Sequence, residues 1–203
     1  MTRIVLVRHG QTEWNRIERF RGQLDVPLND AGRAQARALA RKLATWPITA
    51  LYAGPLGRTR ETARPLAEAL NLPVQILDGL LDINYGQWAG HTPEEVAQAE
   101  PEAHALWRAA PHLARPTGGE TLQDVRERAV AALQGAIAAH PGQTIALVGH
   151  QVVNKVLLCA VLGLDNSHFW RIRQDNACLN VFEYREGVFE IVTLNDTCHL
   201  ATI

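Results

Sequence analysis

The run Ile4-Val5-Leu6-Val7 stops abruptly on Arg8-His9-Gly10. Consecutive apolar residues without polar alternation fit a strand covered on both faces, as in a parallel sheet. A parallel strand needs a crossover connection, usually a helix, so this run already points to an α/β fold. Gly10 frees the backbone to turn. Arg8 and His9 therefore stand at the carboxyl edge of a buried strand, where open α/β sheets bind ligands. Arginine grips planar anions through a fork of donors, and histidine can act as nucleophile or base near neutral pH.

The chain in order supports that class. Gln11 to Leu28 reads as a polar, arginine-containing loop. Asn29 or Asp30 caps a helix to about Ala44, with Leu39 and Leu43 inward and Pro47 beyond its end. Ile48 to Ala53 reads as a strand, and a helix follows from near Arg58 to about Leu70. Pro65 within it predicts a kink or a later start. Val74 to Leu77 is a short third strand. Residues 82 to 120 are rich in proline, glycine and acidic residues and are too few for a core of their own, so they read as a small helical cap. Thr121 to Asp124 resembles a capping box before a helix to about His140. Thr144 to Val148 repeats the opening theme and closes on Gly149-His150, followed by a helix to about Leu162. Cys178 to Tyr184 and Val188 to Leu194 read as an antiparallel hairpin or edge. The expectation is a single domain over residues 1 to 203, with a mostly parallel central sheet and helices on both faces.

A formal net charge of −1 gives no field directed at nucleic acid or membrane. An anionic ligand would need a local cluster, and Arg8, Arg16, Arg19 and Arg21 supply one near His9. Three widely spaced cysteines argue against a disulfide framework and for a reducing compartment. With no signal-like segment or membrane-length apolar run in view, the expected location is the cytoplasm.

His9 and His150 each end an apolar strand. If those strands are neighbours they lie ~5 Å apart and both imidazoles can face one site. Arg58, a cation at a helix start, implies a nearby anion, although Glu61 could supply it. At this level metal, base and structural roles for the histidines all stay open.

Five segments together resemble a known family. They are Arg8-His9-Gly10 with Thr12 and Asn15, Gly54 to Ala63 around Arg58, Asp82 to Gly90, Gly118 to Thr121, and Val148-Gly149-His150. In this order they resemble the histidine phosphatase superfamily, the phosphoglycerate mutase-like proteins. That resemblance implies that His9 attacks phosphorus and becomes phosphohistidine. It implies that Arg8, Arg58 and His150 are catalytic and hold the phosphoryl group, with Asn15, Gln23 and the backbone of Gln151 as further donors. Asp82 would protonate the leaving oxygen and then activate water, a task for which burial or an anionic substrate should raise its pKa. Arg21, Tyr85 and His199 are candidates for substrate specificity, and no metal or other cofactor is implied. Asp82 stands where the family more often has Glu, so its carboxyl must come from a closer backbone or act through water.

The implied partner is a small anionic phosphorylated metabolite. Hydrolysis of phosphomonoesters is the leading reading, because a short cap should admit water. Phe169-Trp170 and Asn195 to Leu200 resemble metal-independent phosphoserine phosphatases; α-ribazole phosphate is a second candidate. Phosphoglycerate mutase-type transfer and an inactive phospho-ligand-binding protein are the alternatives. The C-terminal edge leaves homodimer formation open.

Overall fold

The computed structural model describes residues 1–201. Its sheet has six strands: β1 (Thr2–Arg8), β2 (Ile48–Ala53), β3 (Val74–Ile76), β4 (Thr144–Gly149), β5 (Leu179–Arg185) and β6 (Val188–Asp196), in the order β3-β2-β4-β1-β5-β6. The first four run parallel, and β5 and β6 add antiparallel at one side. The mostly parallel sheet and its antiparallel edge are as expected.

Alternation along the central strands sorts the core onto two faces. Ile4, Leu6, Ile145 and Leu147 enter one buried cluster; Val5, Val7, Ala146 and Val148 enter the other. Helices α2 (Asp30–Leu43) and α3 (Gly57–Leu70) contribute Leu39, Leu43 and Leu66 to the second. Helices α6 (Leu122–Ala139) and α7 (Gln151–Val161) contribute Val125, Leu133, Val153 and Leu157 to the first. No helix among the described residues is long and apolar enough to cross a membrane.

The cap contains α4 (Pro93–Ala99) and α5 (Pro101–Ala109), each with proline at its first position. Trp88, Val96 and Trp107 belong to the same buried cluster as Ile4 and Leu6, so the cap has no separate core. The Thr121 box forms as expected: Asp124 N–H donates to Thr121 Oγ1 at 3.1 Å and Thr121 N–H to Asp124 Oδ2 at 2.8 Å.

Three features differ from expectation. The Gln11–Leu28 loop holds a one-turn helix, α1 (Glu13–Arg16), too short to show periodicity. Helix α3 begins at Gly57 and continues through Pro65 to Leu70, so the proline does not delay its start. A 3-10 segment, Asn166–Arg171, lies between α7 and β5.

Candidate active site

Parallel pairing of β1 with β4 sets Arg8 opposite Gly149, so the two strands end level. His9 and His150 follow, their rings edge to face with centroids 5.3 Å apart. Both are fully buried. His9 Nδ1 lies 2.6 Å from the Gly10 carbonyl oxygen. That oxygen can only accept, so Nδ1 carries the hydrogen and Nε2 keeps its lone pair. Nε2 is buried and has no protein partner. Burial, reinforced by Arg58, His150, Arg8 and Arg21, holds His9 well below the usual imidazole pKa. The ring is therefore neutral at neutral pH. The turn behind it is tight: a Cβ on Gly10 would sit 2.6 Å from the Gly32 carbonyl oxygen.

Arg58 enters from the first turn of α3. Its Nη2 lies 2.9 Å from Asp82 Oδ2, its Nε 3.2 Å from His150 Nδ1, and both sides of the guanidinium are buried. The anion implied at this helix start is thus Asp82, not Glu61. Arg58 also donates to the carbonyls of Leu24 at 2.8 Å and Gly22 at 2.6 Å. Asp25 Oδ1 accepts from Gly57 N–H at 2.8 Å and caps α3 from the same loop. Backbone and side chain therefore fix this guanidinium before any ligand arrives.

Asp82 corrects one expectation. Burial alone would raise its pKa, but His150, Arg58, Arg21 and the Ile83 N–H outweigh burial and hold it below the ordinary carboxylate value. The shorter side chain still reaches the site, because its main chain is drawn in. Gln23 Nε2 and Arg128 Nη2 donate to the Asp82 carbonyl at 3.2 and 3.1 Å. His150 is neutral too: burial, opposed by Asp82 and aided by Arg58 and Arg21, lowers it to about 3. Its Nδ1 accepts from Arg58, so its hydrogen sits on Nε2.

Arg8 is held differently. Its Nη1 donates to the Gln174 carbonyl at 2.6 Å, and its buried Nε has no partner. Burial and the neighbouring Arg21 lower it to about 10, still a cation at neutral pH. Arg21 Nη1 donates to the Trp14 carbonyl at 3.1 Å, and its Nε is likewise unpartnered. Crowded guanidiniums with open donors and a single paired carboxylate form a site for an oxyanion.

A cleft of about 650 Å³ reaches this site at Arg8 and Asp82, while His9, Arg58 and His150 are wholly buried and lie outside its lining. Arg8, Asn15, Arg21, Asp82, Tyr85 and Gln151 line it, as the sequence suggested. Asn15 Oδ1 accepts from Thr12 N–H and Oγ1–H at 3.0 Å each, which leaves its amide hydrogens for the cleft. Gln151 opens α7, where backbone N–H groups lack helical partners. Burial pushes the Tyr85 hydroxyl up, so it stays protonated.

Two candidates lie outside the cleft lining. Gln23 is exposed, does not line the cleft, and has its amide engaged by the Asp82 carbonyl. His199 lies outside the lining as well. It sits in a 3-10 turn, Cys198–Leu200, that packs against α2. Sequence reasoning missed Asn176, which lines the cleft and donates to the His9 carbonyl at 3.2 Å. Trp107 is buried and also lines the cleft.

The model of the histidine phosphatase superfamily (branch 1) matches residues 4–197. Phosphoserine phosphatase 1 of Hydrogenobacter thermophilus is 39% identical over 200 residues, covering 98% of this chain and 95% of that protein. The adenosylcobalamin/alpha-ribazole phosphatase of Salmonella typhimurium is 29% identical over 95% of this chain and 96% of its own length. Among solved structures, YhfR of Bacillus stearothermophilus superposes with a TM-score of 0.94 at 33% identity, covering 98% of this chain and 100% of that one. Strand-end histidines, a helix-opening arginine and a loop carboxylate thus coincide with a family match over nearly the whole sequence, and the chain belongs to the histidine phosphatase superfamily.

Proposed function

We propose that this chain is a metal-independent phosphatase that hydrolyses small phosphomonoesters through phospho-His9. One observation carries the reading: His9 Nε2 is buried, unprotonated and unpartnered beneath a cluster of arginines. In the first step Nε2 forms a bond to phosphorus while the ester P–O bond breaks. Arg8, Arg58 and His150 bind the phosphoryl oxygens, with the Asn15 amide and the Gln151 N–H as further donors. Asp82 gives its proton to the departing oxygen. In the second step the Asp82 carboxylate takes a proton from water, the oxygen attacks phosphorus, and the N–P bond breaks to release phosphate and neutral His9.

Asp82 is ionised in the free site, so it must gain a proton when substrate binds. A bound phosphoryl dianion supplies the reason: it offsets the arginine charges that hold the carboxyl down. The arginines also supply the positive field that a metal would otherwise give. Among the described residues no group of three or more His, Cys, Asp or Glu is arranged to hold a metal ion. The expected consequence is full activity after treatment with chelator.

The short cap favours water over a retained substrate as the acceptor. The relatives make phosphoserine and α-ribazole phosphate the first esters to assay. The free thiols of Cys159, Cys178 and Cys198 suit a reducing compartment, in keeping with a cytoplasmic enzyme. The test is to trap the protein during turnover with labelled substrate and assay for acid-labile, base-stable phosphate. Wild type should carry the label and His9→Ala should carry none. Unimpaired hydrolysis by His9→Ala would overturn the route. Binding of phosphate with no turnover of any ester would favour the ligand-binding alternative, and isomerisation of phosphoglycerate without release of phosphate would favour the mutase.

A further inference from the structure

Above the phosphoryl floor the cleft is walled by a continuous arc of aromatic rings. Phe20 meets Tyr85 at 4.9 Å, Tyr85 meets Trp107 at 5.7 Å, Trp107 meets Phe169 at 5.7 Å, and Phe169 meets Trp170 at 4.8 Å between centroids. All five line the cleft. Four different segments of the chain bring them together, from the β1–α2 loop, the stretch after Asp82, α5 and the 3-10 segment before β5. Trp170 Nε1 donates to the Trp107 carbonyl at 2.9 Å and ties the last two segments. The arc starts beside the phosphoryl site, because Tyr85 follows Asp82 by one short turn.

Lys155 backs one end of the arc. It is 4% exposed, and its Nζ lies 4.7 Å from the Phe169 centroid and 4.6 Å from that of Trp170. Among the described residues it has no carboxylate within salt-bridge distance. Its ammonium is held by ring faces, and in return it fixes both rings.

We infer that this arc is a binding subsite for an aromatic or heteroaromatic ring on the leaving group of the phosphomonoester. The inference rests on the phosphatase reading and narrows it. Ring edges and faces offer offset or edge-to-face contacts to another ring. Ring faces give a carboxylate no hydrogen-bond partner, so at the arc itself the carboxylate of a small amino-acid leaving group would be buried without compensation. The faces of Phe169 and Trp170 are already taken by the Lys155 ammonium, whose charge disfavours a cationic leaving group at that end of the arc.

The test compares ligands that share a phosphoryl end. 2-Phenylethyl phosphate, ethyl phosphate and phosphocholine are ranked by kcat/KM, and 2-phenylethylphosphonate and ethylphosphonate are titrated calorimetrically. Burial of a phenyl group predicts a preference on the order of 30-fold for the phenylethyl member of each pair. Trp170→Ala, at a half-exposed position compatible with folding, should bring that ratio down several-fold. Lys155→Met should lower it through the rings that the ammonium positions. Equal binding of the two phosphonates overturns the subsite whether or not the protein turns over, and preference for phosphocholine overturns it in favour of a cation site. Loss of the phosphoenzyme signal would instead overturn the phosphatase reading, and the phosphonate ratio would still decide the subsite.

Discussion

Arg58 Nη2 and Asp82 Oδ2 are 2.9 Å apart in a pair almost wholly withdrawn from water. The residue proposed to hold the phosphoryl group and the residue proposed to move the proton are therefore direct partners. Removing one leaves the other as an uncompensated buried charge. Arg58→Ala should destabilise the fold by roughly 3–5 kcal/mol, as for other broken buried pairs. Denaturant unfolding measures this, and a loss under ~1 kcal/mol would show that water relieves the carboxylate.

Asp82→Asn keeps the shape and removes the proton. For an alkyl ester kcat should fall by about 10²–10⁴-fold, the usual worth of a general acid. For p-nitrophenyl phosphate, whose leaving group needs little protonation, the first step should be much less affected, as read from the burst of p-nitrophenolate. Equal losses in that step for both esters would assign the proton to another group.

Binding an oxyanion should be accompanied by proton uptake. Sulfate is a suitable probe, because it does not itself titrate near neutrality. In the empty site the arginines and His150 keep Asp82 below the ordinary carboxylate value. A bound anion offsets those charges and raises the folded-state pKa, so protons are taken up at mildly acidic pH. Calorimetry in buffers of different ionisation enthalpy would detect it. Asp82→Asn should abolish the uptake, and uptake that persists in this variant would place the proton elsewhere.

The two histidines should be silent in the pH profile where free imidazole titrates. His9 is held well below its usual value, and His150 lies at about 3. Both are neutral above those values and become cationic only below them. After correction for substrate ionisation, kcat/KM should show no fall between pH 8 and about pH 5, and any rise toward acid belongs to the proton that Asp82 takes up on binding. An acid limb centred near 6.5 would mean that His9 titrates as if in water.

Lys155 should cost stability at neutral pH. Burial, with a contribution from Arg8, lowers its pKa to about 8. Below that value the lysine is charged in both the folded and unfolded states, and the folded protein bears the full cost. Between about 8 and the ordinary lysine value the unfolded chain binds more protons, so the cost fades as pH rises. Lys155→Met should raise Tm by a few degrees at pH 7, on the scale of roughly 2–4 °C per kcal/mol for a chain of this size. Its advantage should shrink toward pH 10. A Tm gain that does not change with pH would point to packing instead of charge.

The parts of this site that local pattern could reveal were visible in the sequence. His9 and His150 end apolar strands, Arg58 opens a helix against its dipole, and the Thr121 box needs only two residues three apart. Each depends on a few neighbouring positions. The cleft wall does not. Phe20, Tyr85, Trp107 and Phe169 come from segments with no common period, and only the closure of the cap over the sheet edge assembles them. Gln23 spends its amide on the Asp82 carbonyl behind the cleft, and His199 packs against α2 outside it. Asn176 carries no pattern at all; it is placed by the turn into β5. The direction of the Asp82 shift was hidden for another reason. It is a balance of burial against nearby charges, and only the distances decide it.

The loop between β1 and α2 is bonded to the machinery at each step: Gly22 and Leu24 to Arg58, Gln23 to the Asp82 carbonyl, Asp25 to the start of α3. Such a loop cannot swing aside without loosening the charges beneath it, so it is a wall and not a gate. Pro93 of α4 and His104, Trp107 and Arg108 of α5 line the cleft without such ties to the charges, so insertions there should alter which substrates enter while leaving the phosphoryl chemistry intact.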